Sequence, residues 1–152
     1  PADVIDGLMD FMPDFMLQDH NRRSVLHLAL DRPKVGAEFT ERLIRRCPRA
    51  ASLQTEHGFT PLRTLLHYEP GESELDWSEN ERFTLMCRLL KADNGAGASV
   101  QDSFDQNAIP LHYVLKHPQK FPIRHALHLV KYGGLEIPDN FGDLALQMLN
   151  LS

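Results

Sequence analysis

Four copies of one pattern, a polar turn followed by a short leucine-bearing segment, constrain this chain more than any other feature. The copies are Asp19-His-Asn-Arg-Arg-Ser24-Val-Leu26-His27-Leu-Ala29, Thr55-Glu-His-Gly58-Phe-Thr60-Pro61-Leu62-Arg63, Phe104-Asp-Gln-Asn107-Ala-Ile-Pro110-Leu111-His112 and Asp139-Asn-Phe-Gly142-Asp-Leu-Ala145-Leu146-Gln147. Their leucines at 26, 62, 111 and 146 are spaced 36, 49 and 35 residues apart. A fixed period of this size is the mark of stacked supersecondary units, each unable to bury its apolar face alone. Leucine outnumbers valine plus isoleucine by 23 to 11 and recurs at intervals of three and four, which predicts helices over sheet. Pro and Gly interrupt the pattern often, so the helices are short.

Each position of the pattern has a local physical reason. Gly58, Asn107 and Gly142 suit a tight turn that needs positive φ, and Arg22 stands at that position in the first copy. Ser24 and Thr60 can cap the helix that follows, and Pro61 and Pro110 then sit where a missing N–H costs nothing. Second helices follow the first. Phe39, Leu43, Ile44 and Cys47 form one face and Pro48 ends that helix. Ser78-Glu-Asn-Glu81 is a capping box opening the helix with Phe83, Leu85, Met86, Leu89 and Leu90. Ile123, Leu127 and Val130 mark the third, stopped at Gly133-Gly134. Val4 to Met12, before Pro13, reads as the second helix of a preceding partial unit.

Thr60-Pro61-Leu62, Pro110-Leu111-His112 and Leu26-His27-Leu28-Ala29 resemble the ankyrin repeat, whose signature is a turn with Asp and Gly followed by Thr-Pro-Leu-His and an Ala. The resemblance spans about Val4 to Leu149, and no copy is complete: Arg63 and Gln147 replace the His, and Leu144-Ala145 the Thr-Pro pair. It implies an all-α repeat solenoid of about three full helix pairs plus terminal half repeats. The domain covers residues 1–152, with turns near 19–24, 55–60, 104–109 and 139–144 and an insertion at 68–81. It also implies hydrogen bonds from His27 and His112 between neighbouring turns. The missing initiator Met and the half unit at the end lead us to expect a piece of a longer protein.

The function implied is protein–protein interaction, a scaffold or adaptor role in which turn tips and the concave helix face meet a partner protein. The candidate contacts are Arg23, His57, Phe59, Trp77, Gln106, Asn140, Phe141 and Asp143, with His20, Asn21, Glu56 and Ala108 beside them. Two alternatives stay open: a fixed structural segment of a large assembly, or a regulatory domain of a larger enzyme. The insertion, with six acidic residues, no basic one and the only Trp, reads either as a solvated loop whose Leu75 and Trp77 fold back or as an acidic docking loop anchored by Trp77. Arg42, Arg45, Arg46 and Arg49 read as a solvated face or a basic patch. Lys91 to Ser99 reads as a flexible loop into the next turn, since its lone Gly-x-Gly follows a helix and lacks a Lys-Ser/Thr pair.

Composition closes off other classes. A net charge of −5 argues against broad nucleic-acid binding, and no apolar run reaches the 18 residues of a membrane span. Cys47 and Cys87 are too few for a disulfide framework; as buried thiols they point to a reducing compartment, hence an intracellular, cytoplasmic place. His125 and His128 share a helix face but lack the further ligands of a zinc site, so no metal is expected. The chain carries no Gly-x-Ser-x-Gly, His-Glu-x-x-His or P-loop, so we expect no enzyme, cofactor or small-molecule substrate. Asn150-Leu-Ser152 matches a glycosylation sequon of a kind common by chance.

Overall fold

Proline and capping side chains start the helices where the residue pattern places them. The computed structural model describes residues 16–31, 35–71 and 76–150, and the side chains at 146, 149 and 150 are not among those described. The expected helix of residues 4–12, Leu75, the side chain of Leu146 and the end of the sequon lie outside this set. We label the helices α1 (Val25–Asp31), α2 (Ala37–Arg46), α3 (Pro61–Leu66), α4 (Glu79–Ala92), α5 (Pro110–Lys116), α6 (Ile123–Val130) and α7 (Ala145–Asn150). The Thr60 side chain accepts from the Arg63 N–H with Pro61 at the first helical position, and Ser24 Oγ accepts from the His27 N–H. At α4, Ser78 Oγ accepts from Glu81 N at 3.1 Å while Glu81 Oε1 accepts from Ser78 N at 2.9 Å, closing the capping box.

The described residues are all-helical; no strand forms among them, and three isolated bridges (Gln18–Ser24, Asp102–Ala108, Pro138–Leu144) close turns. Consecutive helices pack in pairs, α1 on α2, α3 on α4 and α5 on α6. Across pairs, α1 lies beside α3, α3 beside α5, α5 beside α7, and α2 beside α4. The buried side chains form one continuous cluster that includes Leu26, Leu62, Leu65, Leu85, Met86, Leu89, Leu90, Leu111 and Leu129. Leu26, Leu62 and Leu111, at the same position in three copies, are each 1% exposed.

Several expectations need correction. On α6 the buried side chains are His125, Ala126 and Leu129, whereas Ile123 and Leu127 are exposed. The helix carries two apolar stripes, and the one that meets α5 includes a histidine, whose ring lies edge-on to Phe83 and Phe121. Cys47 and Cys87 are half-buried rather than buried, because Cys47 caps the end of α2 and Cys87 lies at the margin of the core face of α4. Lys91 to Ser99 is an ordered helix end rather than a flexible loop. Gly95 N–H donates to Leu90 C=O at 2.8 Å, Asp93 accepts from the N–H groups of Gly95 and Gly97, and a short 3-10 turn runs over Ala96–Ser99.

Candidate functional site

The four turns are built alike. The N–H of Asp19 donates to Arg23 C=O, Thr55 to Phe59, Asp102 to Ala108 and Asp139 to Asp143, at 2.9 to 3.0 Å. The first residue also closes its turn through its side chain. Asp19 Oδ1 accepts from Asn21 and Arg23 N–H, Thr55 Oγ1 from His57 and Phe59, Asp102 Oδ1 from Phe104, and Asp139 Oδ1 from Phe141 and Asp143. Arg22 (φ 60), Gly58 (φ 80), Asn107 (φ 57) and Gly142 (φ 76) take the left-handed position, and Arg22 does so without being glycine. The third turn starts at Asp102, two residues before the expected start, and is two residues longer than the others; Gln106 (φ 57) takes the extra left-handed step.

Neighbouring turns are tied together. Glu56 N–H donates to Asn21 C=O at 3.0 Å and Asn140 N–H to Gln106 C=O at 2.8 Å. Gln18 Nε2 donates to Gln54 C=O, and Gln101 Nε2 to Pro138 C=O. His27 and His112 perform the bridging that the resemblance implies. Ser24 N–H and Ile109 N–H donate to their Nδ1 atoms, which leaves each Nε2 carrying the proton. Nε2 then donates to Phe59 C=O at 2.8 Å in one case and to Asp143 C=O at 2.9 Å in the other.

Where the second copy has Arg63 instead of His, the link to the next turn passes through side chains. Arg63 Nε donates to Asp102 Oδ2 at 2.8 Å, and its guanidinium covers the Phe59 ring at 3.6 Å. Lys116 reaches Asp139 in the following turn at 3.4 Å. His67 lies 3.8 Å from Asp102 and stacks on Tyr113 with ring centroids 3.8 Å apart. Burial, aided by the Arg63 charge, pushes His67 down to about 4 against the pull of Asp102, so it is neutral at pH 7 and this approach is no ion pair. Phe59, Arg63, His67, Asp102 and Tyr113 line a small cleft between the second and third turns.

The expected contact residues divide by exposure. His57, Gln106, Asn140, Phe141 and Asp143 are exposed, while Arg23 and Phe59 are half-buried, Arg23 paired with Asp19. Trp77 must be corrected: it is 4% exposed, part of the core cluster, with its ring against Tyr68, and so is no surface anchor. Its flat apolar face fills the space at the start of α4. Of the insertion's acids among the described residues, each has an internal partner: Glu69 with Lys120, Asp76 with the Tyr68 hydroxyl, Glu79 with Arg124 and Glu81 in the cap. In the basic stretch Arg42 pairs with Glu38 at 2.7 Å and Arg45 approaches Glu41 at 4.0 Å, which weakens the reading as an open anion patch.

Sequence reading missed Phe104, 65% exposed, which shares its turn position with His57 and Phe141. A signal was present: Ala50-Ala51-Ser52-Leu53-Gln54-Thr55 recurs as Gly97-Ala98-Ser99-Val100-Gln101-Asp102, which aligns Asp102 with Thr55 and so Phe104 with His57. The rings of His57 and Phe104 meet edge-on at 5.1 Å, and both contact Phe59.

Among the described residues no group of three His, Cys, Asp or Glu side chains could hold a metal ion, and no helix is long and apolar enough to cross a membrane. No protein-family model matches the chain, and no curated protein matches it either.

Proposed function

We propose that this chain is an ankyrin-like repeat solenoid that acts as a protein–protein interaction module. The observation that carries the reading is the row of side chains at one turn position, His57, Phe104 and Phe141, held outward by turns that are hydrogen-bonded within themselves and to their neighbours. Preorganised exposed aromatics suit recognition because little ordering entropy is lost when a partner docks. The recurring turn bonds and the two bridging histidines support the repeat reading. An intracellular location belongs to the same proposal, supported by two free thiols. The proposal includes no catalytic step.

The test is affinity capture with the intact chain beside Phe141→Ser and His57→Ser variants whose helical signal is unchanged. We expect a partner held by the parent chain and lost from the variants. Partners retained equally by every turn variant would sink the reading. Exposed Ile123 and Leu127 on α6 favour a second reading, fixed packing in a larger assembly, for which an apolar interface rather than the turns would carry binding. Leu127→Ser separates the two, since it leaves turn-mediated capture untouched.

A further inference from the structure

The chain seats two of its own arginines in the same way. Arg63 lies over the Phe59 ring at 3.6 Å with its Nε on the Asp102 carboxylate at 2.8 Å. Arg124 lies over Phe83 at 4.3 Å with its Nε on Glu79 at 3.0 Å. A planar guanidinium gains both from the negative face of a ring and from a carboxylate at its edge. The third and fourth turns carry the same two groups close in sequence: Phe104 next to Asp105 and Phe141 two residues before Asp143, with Phe104 65% and Phe141 69% exposed. The remaining turn aspartates there are already engaged, Asp102 by Arg63 and Asp139 by Lys116.

Charge selects the occupant. Residues 55–60, 102–109 and 139–144 contain no Lys or Arg, whereas the first turn contains Arg22 and Arg23. Glu56 and Asp143 are exposed and Asp105 is half-buried. The ridge over turns two to four is therefore aromatic and acidic. We infer that it binds an arginine-bearing segment of a partner protein, each arginine stacking on Phe104 or Phe141 while Asp105 or Asp143 holds its edge. This inference rests on the interaction-module reading and adds the chemistry of the partner.

The experiment uses the full chain, labelled with nitrogen-15, titrated with three synthetic peptides of twelve residues: arginine–leucine, lysine–leucine and glutamate–leucine alternations. The arginine peptide is expected to give saturable amide shifts within residues 102–108 and 139–144, weakening as salt is raised. The lysine peptide should bind about tenfold more weakly, since a compact ammonium stacks less well than a guanidinium. The glutamate peptide should not bind. Phe104→Ser with Phe141→Ser, and separately Asp105→Asn with Asp143→Asn, should each weaken the arginine peptide by about tenfold, a loss of about 1.4 kcal/mol. All four sites are at the surface or lack a structural side-chain bond, so the variants are expected to keep the parent helical signal. Absence of saturable shifts, shifts centred on the first turn or the Arg63 cleft, or binding by either paired variant as tight as the parent's overturns the inference. A chain that captures a partner through its turns yet ignores the arginine peptide overturns this chemistry alone. A chain whose partner is indifferent to every turn variant overturns the module reading itself.

Discussion

The Arg63 guanidinium meets the Asp102 carboxylate at 2.8 Å across 39 positions of sequence, joining α3 to the third turn. In the first and third copies the same junction is made by histidine to a backbone carbonyl. The arginine substitution therefore changes the acceptor and keeps the link. Asp102 is buried and also closes its own turn through Phe104 N–H, so its carboxylate serves two structural bonds.

Removing one partner leaves the other poorly satisfied. Arg63→Met and Asp102→Ala should each cost about 1–3 kcal/mol, below the value for a fully buried pair because Arg63 is partly solvated. Asp102→Asn should cost less than Asp102→Ala, since the amide oxygen can still accept from Phe104. Urea unfolding of Arg63→Met, Asp102→Asn and the double variant gives the coupling energy. A coupling near zero would mean that the pair is incidental.

Packing gives the second prediction. Leu62 is 1% exposed, and Gly97 lies close enough that a Cβ there would sit 3.6 Å from Leu62 Cδ2. Leu62→Ala is expected to lower stability by about 2–5 kcal/mol through lost burial and the cavity left behind. Leu127→Ala, on an exposed side chain, should stay within about 0.5 kcal/mol of the parent. Comparable losses from the two would contradict the burial assigned to α3 and α6.

What could be read from sequence was what local chemistry determines. Pro61, Pro110, Thr60 and the Ser78–Glu81 box start helices through bonds made within a few residues, and the inward leucines follow from spacing alone. What could not be read depended on neighbours. The third turn is longer by two residues, which hid the column linking His57, Phe104 and Phe141. Helix α6 carries two apolar stripes, and only the position of α5 decides which is buried. Trp77 beside a run of acids suited either a residue folded back or a surface anchor, and its burial against Tyr68 decides for the first.

Buried histidines set the response to acid. Burial lowers His27, His125 and His128 from 6.5, and burial with the Arg63 charge takes His67 to about 4. These groups are neutral in the folded chain but take up protons at pH below about 6.5 once unfolded. Stability is therefore complete above pH 6.5 and declines as pH falls toward 4, with His67 alone contributing a loss of order 1–3 kcal/mol. Glu79, held low by its hydrogen bond from Arg124, adds a loss only as pH falls below its ordinary 4.5, whereas Asp93, pushed up by burial, acts in the opposite direction above its ordinary 3.8. Urea midpoints measured from pH 7 to 4 should fall through this window, and His67→Phe, which keeps a ring on Tyr113, should flatten the slope. Equal midpoints at pH 7 and 5 would be incompatible with these neutral histidines.

Gly95 and Gly133 offer a controlled comparison of backbone strain with steric contact. Both take positive φ, 81° and 93°, which costs an L-residue about 1 kcal/mol. At Gly133 an added Cβ meets nothing within 4 Å. At Gly95 it would lie closer than 3.0 Å to Cβ, Cγ and Cδ1 of Tyr132, two residues past the end of α6. Gly95 also closes the end of α4 through its bond to Leu90, so it cannot move away without breaking that bond. Gly133→Ala should thus cost about 1 kcal/mol, and Gly95→Ala should exceed it by about 1–3 kcal/mol, the range for overpacking. Pairing Gly95→Ala with Tyr132→Ala removes Cγ and Cδ1, the two closest atoms, and leaves only Cβ at 2.9 Å, so most of the excess should disappear from the double-variant cycle in urea unfolding. If the double variant keeps the full excess, the close approach of Gly95 to Tyr132 is not what makes glycine necessary there.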